Sequence, residues 1–142
     1  MLDIRQQKNT IYQLLQSAKK GYFKIDRGVT LPNDKYSWTN EHKSLLIESL
    51  LLNIPLAHIF VKSHRDGSTQ IVDGYKRMKT IFDFMDDKFV LTGVDAEYVG
   101  KFYSELPNNL QARMEDTYIL VEEFYSTQVT DEFFIKFYNS LH

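Results

Sequence analysis

The sequence contains no cysteine, a single tryptophan and only three prolines among its 142 residues. The first absence excludes a disulfide framework, cysteine-ligated zinc and every thiol nucleophile. Histidine is scarce as well. The four residues, His42, His58, His64 and His142, show no ligand spacing, so no metal site is expected. Charge of one sign is also lacking: 17 Lys and Arg stand against 19 Asp and Glu, a net charge of −2. That balance gives neither DNA nor an acidic membrane a bulk attraction. There is no long hydrophobic run either. The longest, residues 45–56, is interrupted by Glu48, Ser49 and Asn53 and is too short to span a bilayer. The first residues include Asp3, Arg5 and Lys8 and no apolar stretch of the signal-peptide kind, so the expected compartment is the cytoplasm, with no membrane partner.

What is present suits one globular domain spanning residues 1–142. Hydrophobic residues make up 43% and charged residues 25%, outside the disordered range. Aromatic residues make up 14%, which at this size points first to a core of large side chains. Within residues 4–20, Ile11, Leu14, Leu15 and Ala18 fall on a helical stripe with Gly21 at its end, and residues 22–25 read as a short strand. Residues 27–37 carry loop chemistry. Thr39 or Asn40 can cap a helix that runs through Leu45, Leu46 and Leu50 and stops at Pro55. Residues 58–62 and 70–72 form a hairpin around Asp66-Gly67, and the second strand runs directly into a helix with Met78, Ile81, Phe82 and Met85 on one face. Residues 89–91 read as a strand, Ser104-Glu105-Leu106-Pro107 opens a helix with the proline in its first turn, and residues 118–121 read as a buried strand. Thr130 caps a last helix through Phe134, Phe137 and Tyr138, and the cluster Phe133, Phe134, Phe137 and Tyr138 is read as packing. The expected class is mixed α/β (α+β): a small mixed sheet with a β-hairpin, surrounded by helices.

Chemistry concentrates at Asp73-Gly74-Tyr75-Lys76-Arg77, where strand meets helix. The first-turn N–H groups of a helix carry a partial positive charge and favour an anion. Gly74 lacks the Cβ that would hold a phosphate away from the backbone. Arg77 offers a planar fork of donors for phosphate oxygens, and Lys76 adds a point charge. Asp73 can hold Arg77, ligate a magnesium-bound phosphate or orient a water. The same string also describes an ordinary turn followed by solvated cations.

A wider order of residues surrounds that turn: Trp38, the stretch Leu46-Ile47-Glu48-Ser49-Leu50-Leu51-Leu52-Asn53-Ile54-Pro55, then Ile59-Phe60-Val61, Val72 through Arg77, Leu91-Thr92-Gly93, Gly100-Lys101-Phe102 and Glu105-Leu106-Pro107. In this order the chain resembles the N-terminal domain of GmrSD-type, modification-dependent restriction systems, from about Ile11 onward. The resemblance implies a ParB/sulfiredoxin-like fold whose Asp-Gly-x-x-Arg turn binds, and in some members hydrolyses, a nucleoside triphosphate with magnesium. It implies no tightly bound prosthetic group. A separate nuclease domain is the implied partner, and DNA is reached only indirectly through it. Asp73, Gly74 and Arg77 match the motif, and Asp73 and Arg77 would carry any catalysis. The implied nucleotide pocket comprises Gly74, Tyr75, Lys76 and Arg77 with Trp38 as a wall, Arg27 and Lys35 from the preceding loop, and Glu48, a partner for Arg77 or a solvent-facing residue.

The chain departs from the family at three places. Tyr75 and Lys76 stand where Gln or Lys and then Gln are usual, which removes an amide that could position a phosphate or a water and leaves hydrolysis open. Asn33-Asp34 stands where a Gln-Arg pair precedes the tryptophan, with Lys35 adjacent and Arg27 the nearest arginine upstream. No His-Asn-His nuclease motif is present, so this chain alone is not expected to cut DNA. Two other readings stand beside nucleotide binding. One is an interaction module that has kept the fold and lost the chemistry; the other is a ParB-like DNA-binding surface.

Overall fold

The computed structural model describes residues 4–26, 38–125 and 130–141. The loop expected at residues 27–37, which holds Arg27 and Lys35, lies outside the described residues. Among those described, five strands form one mixed sheet and five helices surround it. The strands are β1 (Ile4–Thr10), β2 (Phe23–Lys24), β3 (Ile59–Ser63), β4 (Thr69–Asp73) and β5 (Tyr118–Tyr125). The helices are α1 (Ile11–Lys19), α2 (Asn40–Leu51), α3 (Tyr75–Met85), α4 (Asn108–Asp116) and α5 (Asp131–Leu141), with a 3-10 turn at Tyr103–Glu105. The order across the sheet is β1-β5-β3-β4-β2. β1 runs antiparallel to β5 and β3 antiparallel to β4, while β5 lies parallel to β3 and β2 parallel to β4. The mixed α/β class is therefore the observed one.

Alternation along the strands divides the core between two faces. Ile59, Val61, Ile71, Ile119 and Val121 point to one side, where Ile11 and Leu14 of α1, Ile47 and Leu50 of α2, Met78, Ile81 and Phe84 of α3, and Leu110 and Met114 of α4 cover them. Val72 and Phe124 point to the other, where Phe60, Phe133 and Phe137 meet them. The Phe137 ring stands edge-on to Phe60 at 5.0 Å and to Phe124 at 5.3 Å, a favoured aromatic geometry. The last helix is held by this aromatic contact and by Thr130, whose hydroxyl accepts the Phe133 N–H at 3.2 Å.

Helix boundaries follow local chemistry. The Thr10 hydroxyl accepts the Gln13 N–H at 3.0 Å while the Gln13 amide oxygen accepts the Thr10 N–H at 2.9 Å, a reciprocal cap that starts α1 at Ile11. A cap of this kind contributes about 1 kcal/mol. The helix read over residues 4–20 is thus corrected. Its first seven residues are an edge strand, because Ile4 through Thr10 pair in register with Phe124 through Tyr118. α2 starts behind Thr39, whose hydroxyl accepts the His42 N–H. It ends where Asn53 turns left-handed at φ 60 and Ile54 N–H reaches back to Ser49 O, with Pro55 barring continuation.

Two further expectations change. Residues 89–91 join no strand; Leu91 instead donates to Lys101 O and accepts from Gly100 N–H, closing a bracket around the intervening loop. Pro107 sits at the N-cap of α4 rather than within its first turn, and the 3-10 turn precedes it. In that turn the Tyr103 hydroxyl donates to Glu115 at 2.9 Å, and burial first, then this bond, raises the phenol well above its ordinary pKa.

Candidate functional site

The Asp-Gly-x-x-Arg string lies where β4, an inner strand of the sheet, gives way to α3. Asp73 is the last residue of β4 and is buried, with 7% of its surface exposed. Gly74 is the N-cap of α3, with φ 103 and ψ 11, a backbone conformation that L side chains rarely adopt. Its carbonyl accepts the Met78 N–H at 3.0 Å, opening the eleven-residue helix, which begins with no side-chain cap. The N-terminal turn of α3 therefore presents its partial positive charge without a Ser, Thr, Asp or Asn oxygen laid across it at the N-cap.

Gly74 has a second reason to be glycine. A Cβ built there would stand 2.6 Å from Ile59 Cγ2 and 3.1 Å from Ile59 Cβ, and 3.3 Å from Nη2 of Arg77. The space that a side chain would fill is taken by β3. The close approach that the structure shows at Gly74 is to Ile59.

Arg77, one turn into α3, folds back over the same junction. Its Nη1 donates to Ala57 O at 2.6 Å and its Nη2 to His58 O at 3.0 Å, while Nη2 lies 3.7 Å from Asp73 Oδ2. The side chain is 20% exposed. Burial lowers the guanidinium pKa and the Asp73 charge opposes that, leaving a group that stays protonated at any physiological pH. Arg77 is therefore a bridge between the turn and the segment that leads into β3. Neither the two carbonyls nor Ile59 is marked by any sequence signal, because every residue carries a carbonyl and isoleucine at a strand start is commonplace.

The other predicted residues are distributed around this junction. Tyr75 and Lys76 are half-buried on the first turn of α3, and Tyr75 packs toward the main core. Trp38 stacks on His42 at the start of α2, with ring centroids 4.4 Å apart and planes 4° from parallel. Glu48 does not partner Arg77. Its carboxylate accepts the Asp95 N–H at 3.0 Å, tying α2 to the loop that follows residue 91. The same loop is fixed by Ser44, a fully buried hydroxyl that accepts the Thr92 N–H at 2.9 Å, and by the Asn40 amide, which donates to Val90 O. The structure thus joins Asp73, Gly74 and Arg77 into one unit and assigns Glu48 to a separate loop anchor. Arg27 and Lys35 are outside the described residues.

Among the described residues no group of three or more His, Asp or Glu converges as a metal site, and no helix is long and apolar enough to cross a membrane. Comparison with curated proteins and with solved structures gives no match. The family comparison is positive. The model of the GmrSD restriction endonuclease N-terminal domain matches residues 5–141, from the edge strand through the last helix. By that match over nearly its whole length, the chain belongs to the GmrSD restriction endonuclease N-terminal domain family.

Proposed function

We propose that this chain is a nucleoside triphosphate-binding regulatory domain of a restriction or phage-defence system, with the phosphates seated at the start of α3. The observation that carries the reading is the β4–α3 junction. There a left-handed glycine opens an eleven-residue helix that has no side-chain cap, Lys76 lies on the first turn, and the buried Asp73 stands beside it with a partly buried Arg77. Membership of the family supports the setting, and the five-stranded mixed sheet is compatible with a ParB/sulfiredoxin-like fold. Helix N-termini favour anions for the physical reasons already given. Magnesium would arrive with the phosphates, since the described residues offer no three-ligand cage of their own. Asp73, held against Arg77, is suited to orienting that pair or a phosphate-bound water. A nuclease domain would be the partner that reads the nucleotide state, and DNA would be met through it.

A second reading has its own observation. Ile59 fills the space over Gly74, and Arg77 is spent on the carbonyls of Ala57 and His58. Those contacts account for Asp-Gly-x-x-Arg as packing alone, in an interaction module without nucleotide chemistry. The two readings separate in a thermal-shift series with ATP, GTP, CTP and UTP, each with and without magnesium. A ligand that binds only the folded state adds about 2.7 kcal/mol at a hundredfold excess over its Kd. The nucleotide reading expects a rise with at least one nucleotide that shrinks in Lys76→Ala, a change that leaves the Arg77 contacts alone. No rise with any nucleotide at millimolar concentration gives the interaction module the field.

A further inference from the structure

The way Arg77 is bound says more than that a cation lies near the turn. Ala57 and His58 are consecutive, and their carbonyls are taken by the two terminal nitrogens of one guanidinium. A planar fork can bridge two neighbouring acceptors in this manner; an ammonium, a single point of charge, cannot hold both in the same geometry. Apart from helices and sheet ladder, no backbone–backbone hydrogen bond among the described residues involves residues 55–58. Of these four, Leu56 packs against the core while Pro55, Ala57 and His58 are exposed. The segment between α2 and β3 is thus tied by the Leu56 side chain, by the His58 ring 3.6 Å from Glu122 of β5, and by the Arg77 fork that reaches across from α3. Its first residues, Asn53, Ile54 and Pro55, also wall an open groove of about 580 Å3 with Arg113, Asp116 and Tyr118, so a shift of the segment reshapes that groove.

We infer that Arg77 is a positioning residue that stays on Ala57 and His58 while a nucleotide is bound, and that through it occupancy of the α3 turn fixes residues 54–58. The inference rests on the nucleotide reading given above. It departs from the direct expectation for the motif, in which the arginine grips phosphate. Releasing both carbonyls to serve a phosphate would give up two hydrogen bonds from a charged donor, whereas the first turn of α3, with Lys76 on it, can receive phosphate without disturbing the bridge. The consequence is thermodynamic. If the segment opens only by breaking the bridge, and the broken bridge misplaces the turn, then a ligand bound at the turn must slow that opening. If the segment opens independently, the ligand leaves it unchanged.

Hydrogen exchange of the whole chain tests this, with magnesium and each of ATP, GTP, CTP and UTP in turn at a tenfold excess over the measured Kd. In the wild type the Ile54 amide, the one in this segment that is bonded, to Ser49 O, is expected to slow by about tenfold, together with those of the first turn of α3, which is the mass-action factor for an opening that abolishes binding. In Arg77→Ala, where the bridge is always broken and the turn binds more weakly, the α3 amides still slow at a tenfold excess over that variant's own Kd, but the 54–58 segment no longer does. Arg77→Lys, a milder change that retains the charge, is expected to lose most of the slowing in the segment as well. Faster exchange of the segment on nucleotide addition would mean the guanidinium has moved to phosphate, and it overturns the inference while leaving the nucleotide reading intact. Slowing of α3 in the wild type without slowing of the segment overturns it equally. No slowing of α3 with any of the four nucleotides overturns the nucleotide reading and this inference with it.

Discussion

The dipeptide Asp-Gly occurs twice in this chain, seven residues apart, and the two copies do different physical work. At Asp66-Gly67, in the tip of the β3–β4 hairpin, the glycine is left-handed at φ 88 and a Cβ there would meet nothing within 4 Å. Asp66 closes the turn locally, its Oδ1 accepting both the Ser68 N–H at 2.9 Å and the Ser68 hydroxyl at 2.6 Å. At Asp73-Gly74 the glycine is again left-handed, at φ 103, but its missing Cβ is the space that Ile59 occupies. Asp73 is buried against an arginine that itself reaches a third segment. One copy is a self-contained turn in solvent; the other is a junction of three chain segments. The lesson is that a turn dipeptide specifies a backbone bend, while its neighbours in space decide whether the bend is also a packing point.

Substitutions that treat the two copies alike sharpen the contrast. The largest effect is expected at Gly74→Ala. A left-handed conformation costs a side chain about 1–2 kcal/mol, and forcing a methyl into a filled core costs about 1–3 kcal/mol more. Denaturant unfolding should therefore report a loss of about 2–5 kcal/mol. The packing share of that loss should shrink in an Ile59→Ala background; an equal cost in both backgrounds would break the account of Gly74. Next is Arg77→Met, which keeps bulk but removes the charged donor from the Ala57 and His58 carbonyls and the cation 3.7 Å from Asp73. A loss of about 1.5–3 kcal/mol is expected for hydrogen bonds from a charged group, and an unfolding midpoint within error of wild type would show the bridge to be incidental. Gly67→Ala bears the conformational cost alone, about 1–2 kcal/mol, and should be the smaller of the two glycine effects in the same assay.

The smallest effect belongs to Asp66. Its bonds to Ser68, side chain first and backbone second, lower the carboxyl pKa below its ordinary 3.8. A depressed folded-state pKa contributes stability that is fully present above the unfolded value and is lost as pH falls through the folded value. Wild type and Asp66→Asn should accordingly differ by a constant Tm offset above about pH 4–5, and the offset should narrow as the pH drops below 3.8. A widening offset toward low pH would contradict the assigned sign.

Much of this architecture was legible because its signals are local. The helices α2 and α3 declare themselves by apolar spacing and by Thr39, Pro55 and Gly74, and the hairpin by Asp66-Gly67 between β-rich runs. One local signal went unused. Thr10 followed by Gln13 is a capping-box pattern, and it marks the start of α1 at Ile11. What precedes it, Arg5-Gln6-Gln7-Lys8-Asn9, has no alternation to show, since an edge strand that is mostly exposed needs no buried side. Its strand character comes from pairing with β5, more than a hundred residues later, where Glu122 and Glu123 accept from Gln6 and Gln7. Residues 89–91 failed in the opposite direction. They look like a strand, but the backbone partners of Leu91 are Gly100 and Lys101 in a loop.

The candidate site divides along the same line. The sequence alone determined that Asp73, Gly74 and Arg77 would share one strand-to-helix turn, because a buried run ends there, a glycine permits the bend and a helical stripe begins. What those residues face depends on how distant segments pack against them. Glu48 went to Asp95 and left Arg77 to two carbonyls, and Gly74 was closed off by Ile59. Backbone carbonyls are the same at every position and a filled space leaves no mark in a residue's name. Which acceptor meets a guanidinium is therefore settled by how β3, β4 and α3 pack, and by nothing written at position 77.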